Sequence, residues 1–520
     1  MVEPHESGAP WWRYRRPILL QRDDDASVQT LPSNGVYSGG PASDAAEVAP
    51  AATDEPGAPR GGLEKAAAPD RSGLVPGVLA AVCLAVVVAT GRMDVAPVGR
   101  IFIPASAILA AIALGQVLAR RHPDEPWLPK LLVAAVVVKV GASLIRFYAF
   151  ISEYGSNGDA SVYDQWGRKF FHAWTTGASA PDPTLSGSSG TAWVRRFTGY
   201  VYYAFGPNMV NGFLIFGLLA LIGTYLWYRA ATEAVPFLNK RLYFALVFFV
   251  PSIAFWPSSI GKEALMQVGM GAMALGTAHL VKQRLVRGIL IALPGAWLLW
   301  NVRPHLLAFA TFAGGAAYVI GRARHGRAKA ESTSLVRPVG IVVVVLLVFV
   351  AMNQAADFLG MKDFSISSVE QSLNDQTART GQGGSKVGTG KTSLTPLTLP
   401  QGAVKVLLRP FPWEVETKFQ ILASLESAAL AVFLLYRIRS VAFSLSRARI
   451  YPFFIFCWTF VLLYAVAFSA IANFGLLTRQ RSLALPALFV LLAVEPARAR
   501  AGNTEDRSGL PPASRVSVEG

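Results

Sequence analysis

Apolar stretches of roughly membrane-crossing length recur from residue 74 to residue 495, and they leave this chain few folds to choose from. In hydrocarbon a backbone satisfies its own N–H and C=O groups only in a helix or a closed barrel, and runs of this length are helical. The stretches fall near 74–91, 101–119, 129–150, 209–228, 242–256, 263–281, 286–300, 304–321, 338–353, 419–436, 452–472 and 482–495. The expected fold is therefore all-α, a polytopic transmembrane helical bundle of about 12 spans. Composition agrees, because only 15% of the residues are charged, where soluble proteins carry about 25%. The two cysteines, Cys83 and Cys457, both lie inside apolar runs. That excludes a disulfide framework and a CxxC metal site.

Residues 1–72 are rich in Pro, Gly, Ala, Ser and Asp without periodicity, and are expected to form a disordered tail. Their start is not a signal peptide, since Trp11-Trp12-Arg13-Tyr14-Arg15-Arg16 leads into Asp23-Asp24-Asp25 and not into an apolar core. Residues 498–520 read as a second polar tail, leaving 73–497 as the transmembrane domain. Arg120-Arg121, Arg229 with Lys240-Arg241, Lys282 with Arg284 and Arg287, Arg322 to Lys329, Arg437 to Arg449 and Arg498 onward occupy alternate loops. The positive-inside rule assigns these loops to the cytoplasm, so both termini are expected there. Two long loops, 151–208 and 354–418, then face the extracytoplasmic side. The net charge of +16 is absorbed by these loops and by anionic membrane lipid, so no nucleic acid partner is expected.

With the cytoplasmic positives explained, a second set of ionisable residues remains at outer span ends and in the outer loops. It comprises Asp159, Tyr163 and Asp164 after the third span, Lys262-Glu263 in the sixth, Arg303 and His305 between the seventh and eighth, Arg409 and Glu414, and Arg479 with Arg481. Ionisable groups at a membrane boundary cost free energy unless they snorkel, pair or meet a polar ligand. Several clusters on one face, against the charge rule, point to an anionic ligand, and Arg forks suit phosphate oxygens. Asp159, and behind it Asp164, are the candidate general bases; Asp is also a common helix cap, and an amphipathic helix is expected over about 161–174. Lys262 and Glu263 are adjacent and splay apart on a helix, so Glu263 is expected to bond elsewhere, with Arg303 as one candidate. His305 is either a donor to the same ligand or an interfacial histidine, and no second His or Cys stands at metal-ligand spacing, so no metal site is expected. Gly388-Thr389-Gly390-Lys391-Thr392 ends like a phosphate-binding loop, but Ser385 stands where that loop needs glycine.

An acidic outer loop with Asp159 and Tyr163, many spans, basic groups at outer helix ends and a last outer Arg pair resemble the GT-C class of membrane glycosyltransferases. The same order of features is similar to the Wzy-type and EpsG-type bacterial polysaccharide polymerases, over roughly residues 130–495. Phe255 to Leu265 and Arg409 to Glu414 also resemble segments of bacterial membrane proteins associated with exopolysaccharide production. The resemblance implies a multi-pass protein of the bacterial plasma membrane acting on a polyprenyl-phosphate- or diphosphate-linked sugar and a glycan acceptor, alongside polysaccharide assembly proteins. It implies Asp159 as the base and Lys262, Arg303, Arg479 and Arg481 as holders of the lipid phosphate. No cofactor is named with certainty, and a divalent metal remains open. The acidic loop follows the third span here, not the first as in the GT-C layout. Two other readings compete: a flippase or anion transporter using Lys139, Arg146 and Glu426 near mid-membrane, and a noncatalytic scaffold of an assembly complex.

Overall fold

A computed structural model of the chain describes residues 96–121, 125–154, 158–186, 189–328, 365–381 and 398–496, with a few positions between 348 and 356. Among these residues the protein is all-helical, 84% helix with no strand, and Leu238 and Val494 form an isolated β-bridge. The helices are α1 (Ala96–Arg121), α2 (Leu128–Tyr154), α3 (Asp159–Thr176), α4 (Ser189–Phe205), α5 (Met209–Ala234), α6 (Lys240–Phe249), α7 (Pro251–Phe255) and α8 (Lys262–Val281). They continue with α9 (Leu285–Val302), α10 (Pro304–Ala328), α11 (Ile366–Thr380), α12 (Thr398–Leu408), α13 (Lys418–Tyr436), α14 (Ile438–Ser446), α15 (Phe453–Phe468) and α16 (Phe474–Leu492).

Five of these, within α2, α5, α8, α9 and α10, are long and apolar enough to cross a membrane, and they mark the chain as a membrane protein. A sixth arises if α13 and α14, bent by 61° at their junction, count as one span. The apolar stretches Ala105–Val117 and Phe453–Phe468 are shorter. The expected span at 242–256 is corrected to two pieces, α6 of 10 residues and α7 of 5. Pro251 starts the second piece, where its missing N–H costs no helical bond. The expected stretches 74–91 and most of 338–353, both polar tails, and the Gly388–Thr392 segment lie outside the described residues.

Close helix approach helps to hold the centre together. A Cβ on Gly271 would lie 2.3 Å from the Gly223 carbonyl oxygen, and one on Gly276 would lie 2.8 Å from the Gly288 oxygen. Small residues at these crossings let α8 pack on α5 and α9 almost backbone to backbone, the usual solution where lipid supplies no hydrophobic drive. Around them, α16 is buried along nearly its whole length.

Charge divides between the two ends of this bundle. At one end Glu233 is ringed by Arg229 at 3.5 Å, Lys282 at 3.6 Å and Arg284 at 3.7 Å. Glu125 pairs with Lys240, and Arg437 donates to the Leu492 and Val494 carbonyls. α8 runs from Lys262 to Val281 over 20 residues, or about 30 Å, so Lys262 belongs to the opposite end. Asp159, Tyr163, Glu263, Arg303 and Arg479 of the second ionisable set gather with it.

Candidate functional site

Three breaks in the apolar chain build this end. The loop before Asp159 starts α3, the Trp256–Gly261 loop starts α8, and α9 stops at Val302 so that Arg303 falls between α9 and α10. Neither α3 nor α8 has a side-chain cap at its N-terminus, where Gly158 and Gly261 stand. Uncapped N–H groups and the helix dipoles leave partial positive charge at both starts. Gly190 lets α4 come close, since a Cβ there would sit 2.2 Å from the Val302 oxygen. That approach brings Thr191 within 2.8 Å of the Lys262 ammonium, which donates to its hydroxyl.

A cavity of about 270 Å³ opens between these elements, and Asp159, Tyr163, Lys262, Glu263, Arg303 and Arg479 all line it. Its centre is a chain of charge. Arg479 donates through Nε to Glu263 at 2.6 Å and through a second guanidinium nitrogen at 2.8 Å. It also reaches Asp159 Oδ2 at 3.2 Å. The Glu263 side chain is 2% exposed and that of Asp159 is 66% exposed, so one carboxylate anchors the arginine and the other faces the opening. Lys262 has no carboxylate within ion-pair distance, and Arg303 makes no hydrogen bond or ion pair among the described residues. Lys262 and Arg303 therefore bring cationic charge to the cavity that no ion pair offsets. Burial first, and then the Asp159 charge, pushes the Tyr163 hydroxyl well above its ordinary range, so this side chain offers a neutral O–H at neutral pH.

The remaining sequence candidates lie elsewhere. Asp164 is turned from the cavity into a bond from the Tyr202 hydroxyl and an ion pair with Arg168 at 2.9 Å. Burial, followed by the Asp164 charge, raises the Tyr202 hydroxyl in turn. Arg481 is 1% exposed and does not join Arg479: it donates to the Leu407 and Arg409 carbonyls, to Ser427 Oγ at 2.7 Å and to Glu426 at 3.2 Å. Arg409 and Glu414 pair with each other. His305 is buried against Phe309 and Phe468. Glu263 bonds Arg479 and Gln480, correcting the expected link to Arg303.

Three polar cavity residues were not singled out from sequence, namely Thr191, Arg195 and Gln480. Arg195 is buried, donates to the Pro183 carbonyl at 2.7 Å and lies over the Trp166 ring at 4.7 Å. The signal that could have found it is the apolar periodicity of Trp193, Phe197 and Val201, which marks a helix inside a stretch read as an outer loop. Among the described residues no three His, Cys, Asp or Glu side chains cluster to hold a metal ion.

What the arrangement can do is hold a small anion against Lys262 and Arg303 while a carboxylate stands at the opening to take a proton. No protein-family model, curated protein or solved structure matches this chain.

Proposed function

We propose that the chain is a glycosyltransferase of the bacterial plasma membrane that uses a polyprenyl-phosphate- or diphosphate-linked sugar at the extracytoplasmic face, as a transferase or a repeat-unit polymerase. The observation that carries the reading is that Asp159, Lys262, Arg303 and Arg479, from four separate parts of the chain, line one cavity. An acceptor hydroxyl attacks the anomeric carbon, and its proton passes to Asp159. The bond between that carbon and the lipid phosphate breaks with its electron pair moving to the phosphate oxygen. Lys262 and Arg303 oppose the charge that develops there, and such fixed cations lower the barrier more than they tighten ground-state binding. Arg479, clamped by Glu263, holds Asp159 in place.

The topology that goes with this reading has about twelve spans, both termini in the cytoplasm and the cavity facing outward. Its support is the gathering of Arg229, Lys240, Lys282 and Arg437 at the opposite end of the bundle. A carrier reading draws less support. Lys139 is taken up by the Ile253 and Ala254 carbonyls and Glu426 by the Ser252 N–H and Arg481, so both clamp the short helix α7.

The test is transfer from a panel of polyprenyl-phosphate- and diphosphate-linked sugars by the purified protein in vesicles. Asp159→Asn and the double variant Lys262→Ala/Arg303→Ala should each lower the rate by about a hundredfold or more. Wild-type rates in both variants would overturn the reading.

A further inference from the structure

Two further concavities border α4, one against α3 and the other against α9 and the start of α10. The larger, about 440 Å³, is lined by Trp174, Tyr200, Asp182 and Arg196 among others. The smaller, about 260 Å³, is lined by Trp193, Trp300, Asn301, Thr184 and again Arg196. Pro183 also borders both, and α4 contributes residues to all three hollows.

Their chemistry is aromatic planes with polar edges. Trp174 and Tyr200 stack at 4.8 Å and 17°, with Tyr200 still 55% exposed. Trp193 stacks on Phe197 at 5.3 Å and meets Trp297 edge-on at 5.5 Å. Asp182 spends one carboxylate oxygen on the Thr184 N–H at 2.9 Å and hydroxyl at 2.7 Å. Arg196 is exposed and makes no hydrogen bond or ion pair among the described residues.

A pyranose ring presents a flat C–H face and a rim of hydroxyls. Aromatic faces match the first, and a guanidinium fork with a carboxylate matches the second. The competing explanation, anchoring rings in the lipid headgroup layer, accounts for exposed rings such as Tyr200 and Trp297 but has no use for a carboxylate set among them.

We propose that the surface around α4, from α3 to α9, binds an oligosaccharide along Trp174, Tyr200, Arg196, Trp193 and Trp300. Its role as the path of the glycan acceptor rests on the transfer reaction proposed above; oligosaccharide binding itself does not.

The experiment is retention of the full-length protein, in nanodiscs of neutral lipid, on an array of neutral and acidic pyranose oligosaccharides. Wild type should retain at least one class, and Arg196→Ala and Tyr200→Ala should each weaken that retention by about three- to tenfold. Both side chains are exposed, so unchanged thermal melting is expected and checks that the variants fold. Lys262→Ala/Arg303→Ala should retain the same glycans as wild type. No retention by wild type, or equal retention by Arg196→Ala and Tyr200→Ala, overturns the proposal. Loss of retention only in Lys262→Ala/Arg303→Ala also overturns it, because the glycan would then occupy the anion cavity, and it leaves the transfer reading standing. Glycan retention with no sugar transfer by any donor would sink the transfer reading and leave this one intact.

Discussion

Arg479 touches two carboxylates, and removing each in turn should separate structure from chemistry. Breaking a buried ion pair by deleting one partner leaves a charge without compensation and costs about 3–5 kcal/mol. In Glu263→Gln the remaining Arg479 side chain is 19% exposed and keeps Asp159 at 3.2 Å, which brings the expected loss down to about 2–3 kcal/mol. Asp159 is 66% exposed, and ion pairs in that setting contribute about 0–1 kcal/mol. Asp159→Asn should therefore melt close to wild type while losing transfer, whereas Glu263→Gln should melt clearly lower in the same detergent. Thermal unfolding of the two variants side by side, with transfer measured below both transitions, gives the comparison. A larger loss of stability in Asp159→Asn than in Glu263→Gln would refute the division of labour between the two carboxylates.

Other outcomes follow from the same geometry. Gly190→Ala places a methyl 2.2 Å from the Val302 oxygen and should push α4 off α9, so that donor affinity falls several-fold while membrane insertion, followed by fractionation, is unchanged. Arg481→Ala should reduce stability by about 3 kcal/mol, since Arg481 is buried and its half-buried partner Glu426 is left unpaired, and in the folded fraction donor affinity should equal that of wild type. Tyr163 and Tyr202 have hydroxyl pKa values raised by burial above the ordinary 10.0. The stability they contribute is complete below pH 10 and is lost as pH climbs from there toward the raised values. Spectrophotometric titration should show both ionising later than free tyrosine, and Tyr163→Phe should leave any alkaline limb of activity below pH 10 in place.

Much of the bundle was legible because apolar length is a direct physical demand of the bilayer: α2, α5, α8, α9 and α10 appear where the apolar runs stand. The convergence of Asp159, Lys262, Arg303 and Arg479 was also legible, since each is ionisable at one end of such a run. What failed was helix phase. Arg479 and Arg481 were read as an outer pair ahead of a span beginning at 482, yet α16 starts at Phe474 and carries both. Two residues apart on a helix point to nearly opposite sides, so Arg479 meets Glu263 and Arg481 meets Glu426. The same phase separates Asp159 from Asp164 and keeps Asp159 with Tyr163, four residues on, at the cavity. The break of the 242–256 run at Pro251 was hidden by apolarity that continues on both sides of the proline.

The central claim is that Lys262 and Arg303 carry the charge that receives a lipid phosphate. Its most direct test is the affinity of the purified protein, in nanodiscs of neutral lipid, for undecaprenyl phosphate. Lys262→Ala/Arg303→Ala should weaken binding by about a hundredfold or more, since each charge-assisted bond contributes roughly 1.5–3 kcal/mol, and Arg409→Ala should leave it unchanged. Equal binding by wild type and the double variant would contradict the account.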